Sequence, residues 1–170
     1  MALIVQDPVN PVNNANSYQS LADARTLAAE QGFVLPTDDT EAETALIKAR
    51  RYVDGHEPQM CGNRTTTTQN TAYPRAGVYI RCNLVPSDSF PQELLIAQIV
   101  AAEASGKGVD LSGGVDDGRS ISKEKVDVIE VAYHDNGKTG KEVRLPEFES
   151  TIQPLLCGST SGAQFSVYRV

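Results

Sequence analysis

The sequence is poor in the residues that most often carry chemistry or base stacking. It contains no tryptophan, only 6% aromatic residues, two histidines and three cysteines. The sequence therefore has few aromatic side chains on which nucleic-acid bases could stack. Cys61, Cys82 and Cys157 are an odd number of widely separated residues, which suits neither a disulfide framework nor a zinc site. We expect all three to be free thiols in a reducing cytosol.

Further absences narrow the class of protein. No apolar run approaches the roughly 20 residues needed to cross a bilayer, so we expect no membrane partner. The first five residues lack the basic start of a signal peptide, so we expect no secretory leader. The sequence also lacks the Gly-x-Ser-x-Gly, P-loop, His-Glu-x-x-His and Gly-x-Gly-x-x-Gly motifs. We therefore expect no catalytic residues, no enzymatic activity and no cofactor.

Two weaker chemical patterns remain. Adjacent aspartates at 38–39 and 116–117 could bind a metal ion, but paired acids in loops are usually solvated, so we expect no metal site. His56 and Cys61 could approach each other as base and nucleophile. A small hydrolase that uses them is the weakest of three functional alternatives, because their glycine and proline neighbours favour loop roles.

Apolar periodicity predicts an α+β fold that is mainly α. A capping pattern at Ser20 and a glycine at Gly32 predict the limits of a first helix. A capping box at Thr40 predicts the start of a second helix. Pro91 and Pro146 predict the starts of a third and a fourth helix. The third helix is apolar on more than one side, so we expect it to be central and buried.

The chain length suits one domain over residues 1–170, because a chain of this size can bury one sizeable core. We expect a small helical bundle over about 18–105 and 146–157. A β-hairpin arm is predicted over about 122–145, and a C-terminal strand or tail over 158–170.

The arm and the tail are the two β-patterned appendages. In the arm, we expect one strand with a bulge near Ile129 and a return strand at Lys141–Leu145. The apolar tail either folds back on its own sheet or adds as a strand to another subunit. The second alternative makes the following tail residues candidates for partner binding: Phe165, Val167, Tyr168, Arg169 and Val170.

The charge balance of 15 basic and 22 acidic residues gives a net charge of −7. Such a chain does not gather around phosphates by bulk electrostatics. The stretch Lys48–Arg81 is locally basic, with six Lys or Arg against two acids and three interleaved tyrosines. We favour a structural role for it, in which an arginine-rich helix end and a proline-anchored loop contact acidic neighbours. If it binds nucleic acid instead, the candidate contacts are Arg64, Tyr73, Arg75 and Arg81.

Seven short segments, taken in order, resemble a family of tailed-phage proteins. The family is often labelled DnaT-like single-stranded DNA-binding protein, and it resembles in turn the head–tail adaptors of the phage neck. Tyr73 is a departure, because the family usually has tryptophan before Pro-Arg. The segments are Ala15–Tyr18, Tyr52–Gly55, Tyr73–Gly77, Val85–Asp88, Pro91, Lys123–Val126 and Pro154–Leu156.

The resemblance implies a structural head–tail adaptor (connector) that forms an oligomeric ring of roughly a dozen copies. Its expected partners are the portal protein, neighbouring copies of itself and a tail-side neck or tail-terminator protein. Double-stranded DNA would pass through the ring without tight binding, which a negative net charge favours. The expected location is the virion neck, assembled in the host bacterial cytoplasm. The alternative is a DnaT-like single-stranded DNA-binding replication protein, for which a basic surface is typical.

Overall fold

The computed structural model describes residues 2–112, 123–126, 129–132 and 145–157. The fold is α+β and mainly α, as the sequence predicts. Among the described residues, none of the helices has the length and apolar character needed to span a bilayer. The helices are α1 (Leu21–Gln31), α2 (Asp39–Gly55), α3 (Gln92–Gly106) and α4 (Pro146–Ile152). The strands are β1 (Asn63–Arg64), β2 (Arg75–Ala76), β3 (Tyr79–Ile80), β4 (Asn83–Leu84), β5 (Lys123–Val126) and β6 (Ile129–Ala132).

The limits of α1 confirm the sequence prediction. The Ser20 hydroxyl accepts a hydrogen bond from the Asp23 backbone N–H, which satisfies one of the unpaired donors in the first turn. Gly32 ends the helix at φ +80°, a left-handed conformation that glycine adopts without a Cβ penalty.

The predicted start of α2, with Thr40 as its cap, is two residues too late. The helix begins at Asp39, and Asp38 caps it, because its Oδ1 accepts a 3.0 Å hydrogen bond from the backbone N–H of Glu41. A carboxylate is as good a cap as a threonine hydroxyl, and its charge also suits the positive end of the helix.

The core lies between α2 and α3. Small residues of α2 (Ala42, Ala45 and Ala49) let α3 approach closely, and α3 buries residues on most of its circumference, as predicted. Gln98 of α3 is fully buried, and its amide satisfies its donors on Ser17 Oγ at 2.9 Å and on the Leu46 carbonyl at 3.1 Å. These bonds fix the register between α3, α2 and the segment that precedes α1.

Residues 56–89 contain organised structure that the sequence did not reveal. A 3₁₀ turn at Glu57–Gln59 is followed by two antiparallel pairs, β1 with β2 and β3 with β4. The peptide bond between Tyr73 and Pro74 is cis. Each strand has only two residues, so side-chain contacts rather than sheet hydrogen bonds hold this region on the helices.

The arm differs from the prediction of one bulged strand. β5 and β6 pair with each other in antiparallel register, with Val126 opposite Ile129 and Lys123 opposite Ala132. The break in alternation near Ile129 therefore marks a reversal of the chain, which interrupts strand periodicity as a bulge does. Residues 141–144 of the predicted return strand lie outside the described residues. The predicted tail, with Phe165, Val167, Tyr168, Arg169 and Val170, also lies outside them.

The prediction of three free thiols is wrong, because Cys61 and Cys157 form a disulfide. Their Cα atoms are 4.7 Å apart, within the normal range for the bond. Two hydrogen bonds align the backbones beside it: Cys61 N–H donates to the Leu155 carbonyl at 3.0 Å, and Cys157 N–H to the Gln59 carbonyl at 2.8 Å. The pairing joins residues 96 positions apart, which spacing along the chain could not indicate.

Candidate nucleic-acid interface

Arg75, a predicted nucleic-acid contact, lies inside the protein. It is 7% exposed and uses its guanidinium as a hub for the surrounding loop. Nε donates to the Cys61 carbonyl at 2.7 Å, Nη2 to the Gly62 carbonyl at 2.6 Å and Nη1 to Glu57 Oε1 at 3.2 Å. Arginine suits this task because its five donors form a rigid fork. Its donors are thus occupied by the protein itself.

Arg64, a second predicted contact, is exposed but also paired. Its Nη2 lies 2.5 Å from Glu57 Oε2, and its Nη1 donates to the Gln69 carbonyl at 2.9 Å. Hydrogen bonds from Arg64 lower the pKa of Glu57, with Arg75 adding to the effect. One carboxylate therefore joins two arginines and fixes the turn after α2 to the strand pair β1–β2.

Tyr73, a third predicted contact, is 1% exposed. Burial raises the pKa of its phenol to about 12. Within the described part of the chain no group bonds to its hydroxyl. A ring in this position contributes to the core and offers no face to a base.

A polar network beneath this loop joins several of the segments that carry the family resemblance. Tyr18 donates its hydroxyl hydrogen to Asp54 Oδ1 and accepts from the Ala72 N–H at 3.1 Å. Arg50 donates to Asp54 Oδ2 at 2.9 Å and to the Ala15 carbonyl at 3.1 Å. Burial raises the pKa of Asp54, although Tyr18 and Arg50 both act to lower it. Residues of these segments thus hold the loop against α2.

Arg81, the fourth predicted contact, is exposed at the tip of a hairpin. It occupies the β3–β4 turn with Cys82, at φ +49° and +67° respectively. Positive φ at both central residues matches the twist of a two-residue hairpin, and it projects both side chains from the tip. Neither residue is glycine, and such exceptions cluster at functional positions.

Tyr79 is one of the three interleaved tyrosines, and the predicted set of nucleic-acid contacts left it out. It is 60% exposed and lies opposite Leu84, which is 58% exposed, across the hairpin. Its two neighbours in the chain are less exposed, since Val78 is buried and Ile80 is half-buried. The alternation of this short segment is a period-two signal that could have identified Tyr79 as the outward-facing ring.

The six basic residues of Lys48–Arg81 thus fall into two groups. Arg50, Arg64 and Arg75 are held in ion pairs. Of the other three, none forms an ion pair within the described ranges, and all are exposed. This second group consists of Lys48 and Arg51 on α2 and Arg81 on the hairpin.

The hydrolase alternative loses its nucleophile in this arrangement. Cys61 has no free thiol, because its sulfur is bonded to that of Cys157. His56 lies with Nδ1 3.0 Å from the Tyr52 carbonyl, to which it donates, and its ring packs on Phe148. Among the residues that the structure describes, no group of three or more His, Cys, Asp or Glu could hold a metal ion.

Comparison with known proteins gives one family. A family model described as "Putative DnaT-like ssDNA binding protein" matches residues 1–170. No curated protein and no solved structure matches the chain.

The prediction of a structural head–tail adaptor is wrong, because the matching family is described by single-stranded DNA binding. The predicted partners are wrong for the same reason: the portal protein, neighbouring copies in a ring, a tail-side protein and double-stranded DNA that passes without tight binding. The error came from net charge, which sums over the whole chain, whereas contact with DNA depends on the charges that one surface presents. The virion location stays a prediction. Since the match spans every residue, the protein belongs to the family of DnaT-like single-stranded DNA-binding proteins.

Proposed function

We propose that this protein binds single-stranded DNA, without catalysing a reaction on it, through the β3–β4 hairpin. The observation that carries the proposal is the exposed ring of Tyr79 two residues from the exposed cation of Arg81. An aromatic face stacks on a base, and a nearby guanidinium neutralises a phosphate, which together form the usual recipe for single-strand binding. The family description supports the same function.

The hairpin favours single strands over duplex for a geometric reason. The face of a base is covered by its neighbours inside a duplex and is free in a single strand. Leu84 lies beside Tyr79 and widens the apolar surface on which a base can rest. Every base has such a face, so we expect little sequence preference.

The exposed cations of the stretch Lys48–Arg81, rather than the net charge of the chain, set the expected salt dependence of binding. Among the described residues of this stretch, three exposed cations lie outside ion pairs, so their release of counterions should give a modest dependence of affinity on salt. Stacking is expected to supply much of the free energy, about 1–3 kcal/mol per base.

The test is fluorescence anisotropy of a labelled oligo-dT and of a labelled duplex at about 50 and 150 mM salt. Tyr79→Ala should weaken oligo-dT binding by about 5-fold to 100-fold, the equivalent of one lost stacking contact. Tyr79→Phe should retain affinity, since it keeps the ring. Leu84→Ala is the graded comparison: it removes apolar surface beside the ring but no aromatic face, so it should weaken binding less than Tyr79→Ala does.

The charge contribution is tested separately with Arg81→Asn. Asparagine tolerates positive φ, so the turn is kept while the cation is lost. The slope of log affinity against log salt should fall by about 0.7, the value for one phosphate contact on a single strand. Because we propose that the protein catalyses no reaction on the DNA, the labelled strand should be recovered at full length after the binding measurement. The proposal fails if the wild-type protein does not bind oligo-dT, or if Tyr79→Ala binds as well as Leu84→Ala.

A further inference from the structure

A groove of about 670 Å³ lies along the C-terminal half of α2, which is the first part of the basic stretch Lys48–Arg81. One wall is α2, with Lys48, Arg51, Tyr52 and His56. The other wall is the end of α3 and the chain that follows it, over residues 105–112. Its volume is within the range of about 300–1,000 Å³ that is typical of small-ligand sites.

The charges of this groove are unbalanced. Lys48 and Arg51 are exposed, one turn apart on the same helix, and outside every ion pair of the described residues. The carboxylate that faces them is Asp110, whose Oδ1 accepts from the Ser112 N–H at 3.0 Å and from the Ser112 hydroxyl at 2.5 Å. These bonds and Lys48 lower the pKa of Asp110. Among the described residues that line the groove, two cations against one internally bonded carboxylate leave a net positive charge for an anion.

The floor of the groove is aromatic and fixed. The Tyr52 ring lies 4.7 Å from the Phe148 ring and 5.3 Å from the His56 ring, measured between centroids. His56 is oriented by the hydrogen bond from Nδ1 to the Tyr52 carbonyl. Rings held in this way lose little conformational freedom when a ligand packs against them, which reduces the entropic cost of binding.

We propose that this groove binds one nucleotide unit of single-stranded DNA. Lys48 and Arg51 contact its phosphate, and the base packs along the Tyr52 and His56 side. The groove is pocket-sized, so it takes one unit of a flexible strand, whereas a base paired in a duplex cannot enter it. This inference deepens the proposed single-stranded DNA binding and rests on it.

The first experiment measures the salt dependence of oligo-dT binding for the double variant Lys48→Gln/Arg51→Gln. Each lost phosphate contact should reduce the slope by about 0.7, so the double variant should lose about 1.4 and bind several-fold more weakly at 150 mM salt. The variant Lys48→Arg/Arg51→Lys keeps both positive charges, so it should have the same slope as the wild-type protein. Arg25→Gln, which removes a half-buried cation that lies outside the groove and is paired with Asp39, is the control and should leave the slope unchanged.

The second experiment uses the nucleotide alone. Addition of dTMP should shift the backbone amide NMR signals of residues 48–59 and 108–112, and thymidine at the same concentration should not, because it lacks the phosphate. The shifts should be absent in Lys48→Gln/Arg51→Gln and retained in Tyr79→Ala, since the hairpin is a separate contact.

The outcomes separate this inference from the proposed function. If the double variant binds oligo-dT with wild-type affinity and slope while Tyr79→Ala is weakened, the groove inference is overturned and the hairpin proposal stands. If the wild-type protein does not bind oligo-dT at any salt concentration, both are overturned. Equal shifts from dTMP and thymidine would show that no phosphate is recognised, which also overturns the inference.

Discussion

Two buried tyrosines, Tyr18 and Tyr73, have phenol groups in opposite surroundings. The Tyr18 hydroxyl bonds to Asp54 and accepts from the Ala72 N–H. The Tyr73 hydroxyl has no bonding partner in the described part of the chain. Burial raises the pKa of both phenols, and the Asp54 charge adds to the effect at Tyr18. At the residue scale, therefore, one hydroxyl holds the loop to α2 and the other only occupies space.

The same substitution should have different effects at the two positions. Tyr18→Phe removes a donor to the buried Asp54 carboxylate and the acceptor of the Tyr73 N–H, while the Ala72 N–H keeps its 3.2 Å hydrogen bond to Asp54 Oδ1. It should lower the free energy of unfolding by about 1–3 kcal/mol. Tyr73→Phe removes an unpaired buried hydroxyl and should be neutral or slightly stabilising. Urea unfolding followed by circular dichroism measures both. Equal losses for the two variants would contradict the assignment of the Tyr18 network.

At the scale of elements, the region between α2 and α3 is held by one acid and two arginines. Glu57 in the 3₁₀ turn pairs with Arg64 of β1 and with Arg75 of β2. Arg75 adds bonds to backbone carbonyls that precede β1. Strands of two residues cannot hold this geometry alone, so the ion pairs and Arg75 determine how the hairpin that follows leaves the core.

The Glu57 cluster predicts a pH dependence of stability. Arg64, and secondarily Arg75, lower the folded-state pKa of Glu57 below its ordinary value of 4.5. A carboxylate with a lowered pKa contributes stability that is fully present above the unfolded-state value and is lost as the pH falls through the folded-state pKa. Glu57→Gln should therefore be less stable than wild type near pH 7, and this difference should shrink below about pH 4.5.

Urea unfolding at several pH values between 7 and 3 measures this difference. Glu30→Gln, which neutralises an exposed acid on α1, serves as control and should track the wild-type protein at each pH. A gap between Glu57→Gln and wild type that stays constant down to pH 3 would argue against the charge pairing.

At the scale of the whole molecule, the Cys61–Cys157 disulfide connects the loop after α2 to the chain after α4. The closed loop of 96 residues includes α3, the arm and α4. Cross-linking so long a segment restricts the unfolded chain more than the folded one. Cys82, at the tip of the hairpin, is an exposed free thiol.

Counting thiols tests this pairing. Unfolded protein that has not been reduced should react at one thiol, and reduced protein at three. Reduction should lower the free energy of unfolding by about 2–4 kcal/mol. In Cys82→Ser, the number of reactive thiols should be zero in oxidised protein and two in reduced protein. The difference in the free energy of unfolding between the oxidised and reduced forms should persist. Three reactive thiols in oxidised, unfolded protein would rule out the bond.

The helices and the mainly α class of the fold could be predicted from local patterns in the amino-acid sequence. The cap at Ser20, the glycine at Gly32 and the prolines near the starts of α3 and α4 are local signals, and each acts within one turn. The same local signals placed the start of α2 two residues too late, because Asp38 and Thr40 both make good caps.

Which residues are available for binding depends on contacts that form when the chain folds. Arg75 and Arg81 look alike in sequence, yet one is buried under carbonyl groups and the other is exposed at a hairpin tip. The difference depends on contacts between segments that are far apart in the chain, as the disulfide does. Local periodicity reports which face of an element is apolar, but it carries no information about which distant partner satisfies a given side chain.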